Sequence, residues 1–268
     1  MKINAAGYTD RGMVREGNED SFIVSPETGL FAVADGMGGH NAGEVASRMA
    51  LDVLNDYLIR SAQGEEKMLG SRNPDISENA NRLVSGIRLA NRVIYESARS
   101  NPLWRSMGTT IVAALLEGER LNIAHLGDSR AYLVRGSAII RLTEDHSMVA
   151  EQVRLGLISA EAAQVSEQRN IITRALGLES EPDVELCDLL LAADDRLLLC
   201  SDGLTNMVPD EMICRVVQAG DGPDETCRRL VAEANSSGGR DNVTALVLTV
   251  EGGLLARLSR IFNRSRRG

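Results

Sequence analysis

Four apolar runs in this chain each lead into an aspartate or follow one directly, and that pairing constrains the fold more than any other feature. Residues 30–34 (Leu-Phe-Ala-Val-Ala) end in Asp35-Gly36, 121–127 in Asp128-Ser129, and 197–201 in Asp202-Gly203, while Asp241-Asn242 stands directly before 243–250. A lone carboxylate at the mouth of an apolar strand is costly to ionise, and several converging at one sheet end repel one another. A hard divalent cation removes both penalties, and an all-oxygen donor set suits Mg2+, Mn2+ or Ca2+ rather than zinc. Taken singly, each Asp-Gly pair reads as a good turn. The four strand-end aspartates together read as a carboxylate constellation. The EF-hand spacing, Asp-x-Asp-x-Asp-Gly with a later Glu, does not occur.

The strand-like runs are 31–34, 110–116, 121–126, 131–134, 196–200 and 243–250. Turns as short as Glu117-Gly118-Glu119 and Arg135-Gly136-Ser137 join several of them. Parallel strands need long crossovers, so these turns imply antiparallel hairpins. Helical period marks further stretches. Val45, Met49, Val53 and Tyr57 recur every fourth residue, with Ala46, Ala50, Leu54 and Leu58 beside them. Leu83, Ile87, Ala90 and Ile94 mark a second helix. Met212, Ile213, Val216 and Val217 mark a third, with Pro209 in its first turn, and Cys227, Leu230, Val231 and Ala234 a fourth. The helices come as two sequential pairs flanked by strand runs, which predicts an α+β fold of antiparallel sheets covered by helix pairs.

Residues 1–251 read as one domain. Within it, 61–75 is a polar surface loop, and beyond it 252–268 is an Arg-rich tail. In the tail, Leu254, Leu255, Leu258, Ile261 and Phe262 share a face at helical spacing, so it reads either as a solvated basic terminus or as an amphipathic contact to a membrane surface or partner. A net charge of −9 and an aromatic share of 3% argue against a nucleic-acid partner, which needs a basic face and, for single strands, a stacking platform. No signal-like pattern opens the chain, and no apolar run reaches the roughly 20 residues of a bilayer span, so a cytoplasmic protein is expected. Cys187, Cys200, Cys214 and Cys227 form no Cys-x-x-Cys pair, which speaks against a thiolate zinc site and for a reducing compartment. Gly36-Met37-Gly38-Gly39-His40-Asn41-Ala42-Gly43 superficially matches a dinucleotide fingerprint, but Asn41 stands where the third Gly belongs and no Lys-Ser/Thr follows. It reads as a flexible turn that frees the Gly36 carbonyl to face a metal.

Thr9-Asp10-x-Gly12-x-x-Arg15-x-x-Asn18-Glu19-Asp20, Asp35-Gly36-Met37-Gly38-Gly39, Gly108-Thr109-Thr110, Gly127-Asp128-Ser129-Arg130, Thr143-x-Asp145-His146-Ser147, Ser201-Asp202-Gly203-Leu204 and Gly239-Arg240-Asp241-Asn242-Val243-Thr244 follow one another along the chain. In that order they resemble the metal-dependent protein phosphatases of type 2C, in their bacterial form. The resemblance implies a four-layer α-β-β-α sandwich, two antiparallel sheets flanked by helix pairs. It implies a serine/threonine phosphoprotein phosphatase using Mn2+ or Mg2+, with two core ions and a third, weaker one. Asp35 would bridge two metals, the Gly36 carbonyl would face one of them, and Asp202 and Asp241 would complete the second site. Glu19 and Asp20 would hold metal-bound waters, Asp128 with Asp202 would form the third site, and Arg15 would clamp the substrate phosphate. Metal-activated water would attack the phosphomonoester directly, without a covalent phosphoenzyme.

One position departs from eukaryotic members, where a His follows the Asp-Gly: here it is Met37. His40 reads as structural rather than as a proton donor, His125 as core, and His146 as a packing or hydrogen-bonding residue. Asp194-Asp195 reads as a solvated turn. The segment 147–170 corresponds to the family's flap, which tunes substrate choice. A cognate serine/threonine kinase is the family's expectation, and a monomer is expected. The competing readings are a hydrolase of small phosphorylated metabolites, a catalytically silent binding module, and a regulatory phosphatase for anti-sigma-antagonist proteins.

Overall fold

Two sheets pack face to face, and every strand pair in them is antiparallel, as the short turns require. The computed structural model describes residues 2–39 and 42–251. His40 and the tail 252–268, on which two of the sequence expectations rest, lie outside the described residues. In chain order the elements are β1 (Lys2–Asp10), β2 (Asp20–Ser25), β3 (Leu30–Met37), α1 (Ala42–Ala62), α2 (Glu78–Ser100), β4 (Gly108–Thr109), β5 (Ile111–Glu117), β6 (Arg120–Leu126), β7 (Arg130–Arg135), β8 (Ala138–Arg141), α3 (Met148–Arg154), α4 (Ala160–Gln164), β9 (Glu185–Leu190), β10 (Arg196–Cys200), α5 (Asp202–Thr205), α6 (Asp210–Gln218), α7 (Pro223–Ser236) and β11 (Val243–Glu251). One sheet runs β1-β11-β10-β7-β8; the other runs β2-β3-β5-β6-β9, with β4 paired to β3.

The layers follow from the period-2 alternation of the strands. On β3, Leu30, Ala32 and Ala34 face α1 and α2, where Leu54, Leu58, Leu83, Ile87 and Ile94 complete one core. Phe31 and Val33 point the other way and meet Leu197, Leu199, Leu246 and Leu248 across the gap between the sheets. On the far side, Leu198, Cys200, Ala245 and Val247 pack beneath α6 and α7 against Ile213, Val217, Cys227 and Leu230. The central strands are thus buried on both faces, which is why they read as unbroken apolar runs. The chain folds as the four-layer sandwich, α-β-β-α, with one helix pair outside each sheet.

Five strands carry no such run and escaped the sequence reading, β4 among them with only two residues. β1 and β2 are half-exposed, β8 is short and mostly exposed, and β9 is a sheet edge with every second residue exposed. Helix α1 buries the Ala46, Ala50, Leu54 and Leu58 stripe, with Tyr57, while Val45 and Met49 are only partly covered. Pro209 caps α6 rather than sitting in its first turn. Gly36 is not in a turn: β3 continues through Asp35 and Gly36 to Met37 and pairs with β4 there. A Cβ at Gly36 would come within 2.0 Å of the Gly43 carbonyl oxygen, so close backbone approach, not flexibility, is what requires glycine. Asp195 is 1% exposed and accepts from Arg135 Nε at 2.8 Å and Nη2 at 2.6 Å, while Asp194 is exposed at positive φ. The pair is therefore not a solvated turn: an Arg on the neighbouring strand draws Asp195 inward.

Candidate metal centre

The same alternation builds the site. Continuing by twos from Phe31 and Val33, Asp35 faces the gap between the sheets. From Phe22 and Val24 the same rule places Asp20 there, from Leu197 and Leu199 it places Ser201, and from Leu246 and Leu248 it places Thr244. Asp20 stands opposite Asp35 in the β2–β3 ladder. All four lie at the same end of the inter-sheet layer, where the apolar filling stops.

A directed hydrogen-bond chain holds Asp20. Asn18 Nδ2 donates to Thr9 Oγ1 at 2.9 Å, and Thr9 and Thr244 hydroxyls meet at 2.7 Å. Thr244 Oγ1 donates to Asp20 Oδ2 at 2.7 Å, and Ser201 Oγ, which accepts from the Thr244 N–H, donates to the same oxygen at 2.8 Å. The other oxygen, Asp20 Oδ1, is buried without a partner. Asp202 opens α5; its carboxylate accepts from Asn206 Nδ2 at 2.9 Å and stands within hydrogen-bond reach of Asp35. Asp241 accepts from the Asn242 N–H at 2.9 Å and from Arg15 Nη2 at 2.7 Å. Asn242 fastens the loop after β1: Oδ1 accepts from Glu19 N–H at 2.8 Å, and Nδ2 donates to the Arg11 and Gly17 carbonyls. Glu19 accepts from the Gly43 N–H at the start of α1. Asp128 is buried in the turn between β6 and β7, and its Oδ1 has no partner.

The electrostatics are those of acids crowded together. Burial, then the charges of Asp20, Asp202, Asp128 and Asp241, hold Asp35 well above the usual carboxylate range. Burial pushes Asp20 up to about 7 against the hydrogen bonds from Thr244 and Ser201. Burial and the Asp202 charge push Asp128 up to about 8. Asp202 is raised by burial and by Asp241, and Glu19 is raised chiefly by burial. Of the cations that reach the cluster, Arg15 pairs with one member, Asp241, and Arg130 is held by Asp145 through two bonds of 2.9 and 2.7 Å. Two carboxyls in contact, two orphaned carboxylate oxygens and an all-oxygen donor set fit hard divalent cations. Asp35, Asp202 and Asp241 keep a side open to solvent, which leaves the centre reachable by a substrate.

The structure therefore brings together Arg15, Glu19, Asp20, Asp35, Gly36, Asp128, Asp202 and Asp241. It does not bring His125 or His146 into the cluster: the two rings stack on one another, with centroids 4.8 Å apart. Sequence reasoning missed the supporting residues Thr9, Asn18, Ser201, Thr244 and Asn242. Their signal was available, since Thr9, Ser201 and Asn242 stand directly beside an aspartate, Thr244 faces inward at the start of β11, and Asn18 lies two residues before Asp20.

The family model described as Protein phosphatase 2C matches residues 11–243. The serine/threonine phosphatase stp of Listeria innocua is 40% identical over 249 residues, spanning 92% of this chain and 95% of that protein. The serine/threonine protein phosphatase PstP of Mycobacterium tuberculosis is 39% identical over 251 residues, 93% of this chain and 45% of PstP. Among solved structures, the catalytic domain of PstP in complex with two manganese ions superposes with a TM-score of 0.77 at 37% identity, covering 93% of this chain and 99% of that one.

Proposed function

The chain belongs to the protein phosphatase 2C family and is a metal-dependent serine/threonine phosphatase, and from that premise we propose how its residues divide the work. The observation that carries the assignment is the buried carboxylate cluster with its two orphaned oxygens. Asp35, the Gly36 carbonyl, Asp202 and Asp241 hold two core Mn2+ or Mg2+ ions. Asp20 and Glu19 hold the ions' water shell, and Asp128 with Asp202 holds a third. Bound there, the ions supply Lewis-acid charge for the phosphoryl oxygens and acidify the attacking water. The Ser201 and Thr244 hydroxyls orient Asp20 and favour its ionised form against the effect of burial. Arg15 spends one N–H on Asp241 and is half-exposed, so the rest of its guanidinium fork is free to clamp the substrate phosphate.

The substrates are phosphoserine and phosphothreonine proteins, and the phosphates removed are those written by a serine/threonine kinase of the same cell. The flap formed by α3 and α4 presents Leu155, Leu157 and Val165 to solvent and supports recognition of a protein chain rather than a small metabolite. The site is complete within one chain, which supports a working monomer. Four free cysteines, and no helix among the described residues long and apolar enough to cross a membrane, support a cytoplasmic place of action.

The test is phosphate release from a phosphothreonine peptide with Mn2+, with Mg2+ and with EDTA, for the wild type and Asp202→Ala. Release that needs metal, stops with EDTA and drops at least about 100-fold in the variant is expected, since even residues behind a ligand are worth 10–100-fold. Release that survives in Asp202→Ala would overturn the ligand assignment. Metal binding with turnover only of small phosphorylated metabolites would overturn the substrate assignment.

A further inference from the structure

Outside the carboxylate centre, His125, His146 and Glu185 bring ligand-type atoms within 4.8 Å of one another. A second metal site is the first reading of that group, and the hydrogen bonding excludes it. Nδ1 of His146 accepts from the Gly127 N–H at 3.1 Å, so the neutral ring carries its proton on Nε2 and has no lone pair there for a metal. A ligating histidine shows the opposite arrangement, its second nitrogen donating. The two rings are stacked within 16° of parallel, so their in-plane lone pairs do not converge. Nε2 of His125 faces the Glu144 carbonyl at 2.8 Å, and Glu185 Oε1 is already shared with Arg174 at 3.1 Å.

The same contacts make a clamp. His146 engages both backbone groups of Gly127: its N–H donates to the Gly127 carbonyl at 2.9 Å, and its ring accepts from the Gly127 N–H. Gly127 sits at φ +105, with Thr110 so close that a Cβ there would lie 2.6 Å from its side chain. The next residue is Asp128. On the other side, Nε2 of His146 lies 2.9 Å from Glu185 Oε1, too bent for a full hydrogen bond but placing a carboxylate against the N–H that the tautomer requires. Arg174 Nη1, 3.1 Å from the same oxygen, holds the Glu185 carboxylate in that place. His146 also ties this turn to the flap. Its carbonyl accepts from Thr173 N–H at 2.8 Å, and the adjacent Ser147 caps α3 and bridges to Ile172.

We propose that His146 is a positioning residue: with Glu185 holding its tautomer, it locks the Gly127-Asp128 turn so that Asp128 presents its carboxylate to the third metal ion. This rests on the assignment of Asp128 to that ion. The side chain of asparagine can place an acceptor where Nδ1 of His146 lies. Glutamine can place a donor toward Glu185 but leaves the Gly127 N–H unpaired. Leucine does neither.

The experiment is Mn2+ binding to the full chain, followed by electron paramagnetic resonance and calorimetry, with kcat measured in parallel. The variants are Asp128→Ala, His146→Leu, His146→Gln, His146→Asn and the double variant Asp128→Ala/His146→Leu. The weakest Mn2+ step is expected to weaken about 10–100-fold in the Leu and Gln variants, the range for residues standing behind a ligand, with the tighter steps unchanged. His146→Asn should stay within a few-fold of wild type, and the double variant should match Asp128→Ala in both readouts. If His146→Leu does not fold, the Gln and Asn variants decide. Equal Mn2+ binding in the Gln and Asn variants overturns the proposal, as does a further loss on adding His146→Leu to Asp128→Ala. If Asp128→Ala itself loses no ion, the Asp128 assignment falls, and this inference falls with it.

Discussion

At the scale of single residues, the chemistry rests on acids, but the acids rest on hydroxyls. Thr244 is buried, and its Oγ1 is one of only two donors to the Asp20 carboxylate among the described residues. Thr244→Val keeps the shape and suits a strand, yet removes that donor and leaves a buried carboxylate poorer in partners. The variant is expected to need about 10–100-fold more Mn2+ for half-maximal phosphate release, with an unchanged circular-dichroism spectrum. An unchanged Mn2+ requirement would show that Asp20 does not depend on this bond. Legibility at this scale was uneven. Asp35, Asp128, Asp202 and Asp241 were visible because an acid beside an apolar run stands out. Asp195 was misread because its partner, Arg135, is distant in sequence and reaches it only once β7 and β10 pair. No local pattern encodes that meeting.

At the scale of elements, glycines mark where one element presses on another. A Cβ on Gly203, at the start of α5, would lie 1.9 Å from the Asn242 carbonyl oxygen. Gly203→Ala must therefore push α5 away from the start of β11, shifting Asp202 against Asp241. Urea unfolding is expected to show a loss of about 1–3 kcal/mol, the usual cost of overpacking. Wild-type stability in that variant would mean that the two segments separate freely. The flap poses a different question. α3 and α4 are short, capped by Ser147 and Ser159, and contribute little to the three cores. Deleting residues 151–166 should lower turnover of phosphopeptides and change their ranking while leaving hydrolysis of a small aryl phosphate within a few-fold. Equal losses on both would place the flap in the chemistry itself. The central strands and the four long helices were legible because burial on a fixed face imposes a period. The edge strands β8 and β9 were not, since half-exposed residues leave no such signature.

At the scale of the whole molecule, two sheets carry their acids to a common end, and the fold bears the repulsion. Asp20, pushed up to about 7, and Asp128, pushed up to about 8, bind their protons more tightly in the folded chain than the ordinary value of 3.8 allows in the unfolded one. The stability this gives the metal-free chain is fully present below about 3.8 and is lost as pH rises through about 7 to 8. On the proposed metal assignment, divalent ions take over the protons' role there. The melting temperature with Mn2+ minus that with EDTA should therefore widen steadily from pH 5 to pH 8.5. A gap that stays constant, or narrows, would mean that these carboxyls are not what the ions neutralise.

What the sequence determined by itself was the parity of the strands, the pairing of the helices and the identity of the acids, because these depend on neighbours a few residues apart. Tertiary structure alone decided which acids meet and what supports them. Asp20 reaches Ser201 and Thr244, 181 and 224 residues away, only because two sheets stack, and Arg15 reaches Asp241, 226 residues away, only because β1 and β11 pair. The tautomer of His146 was likewise undecidable from sequence. It is fixed by a backbone N–H that folding presents to one nitrogen of the ring and not the other.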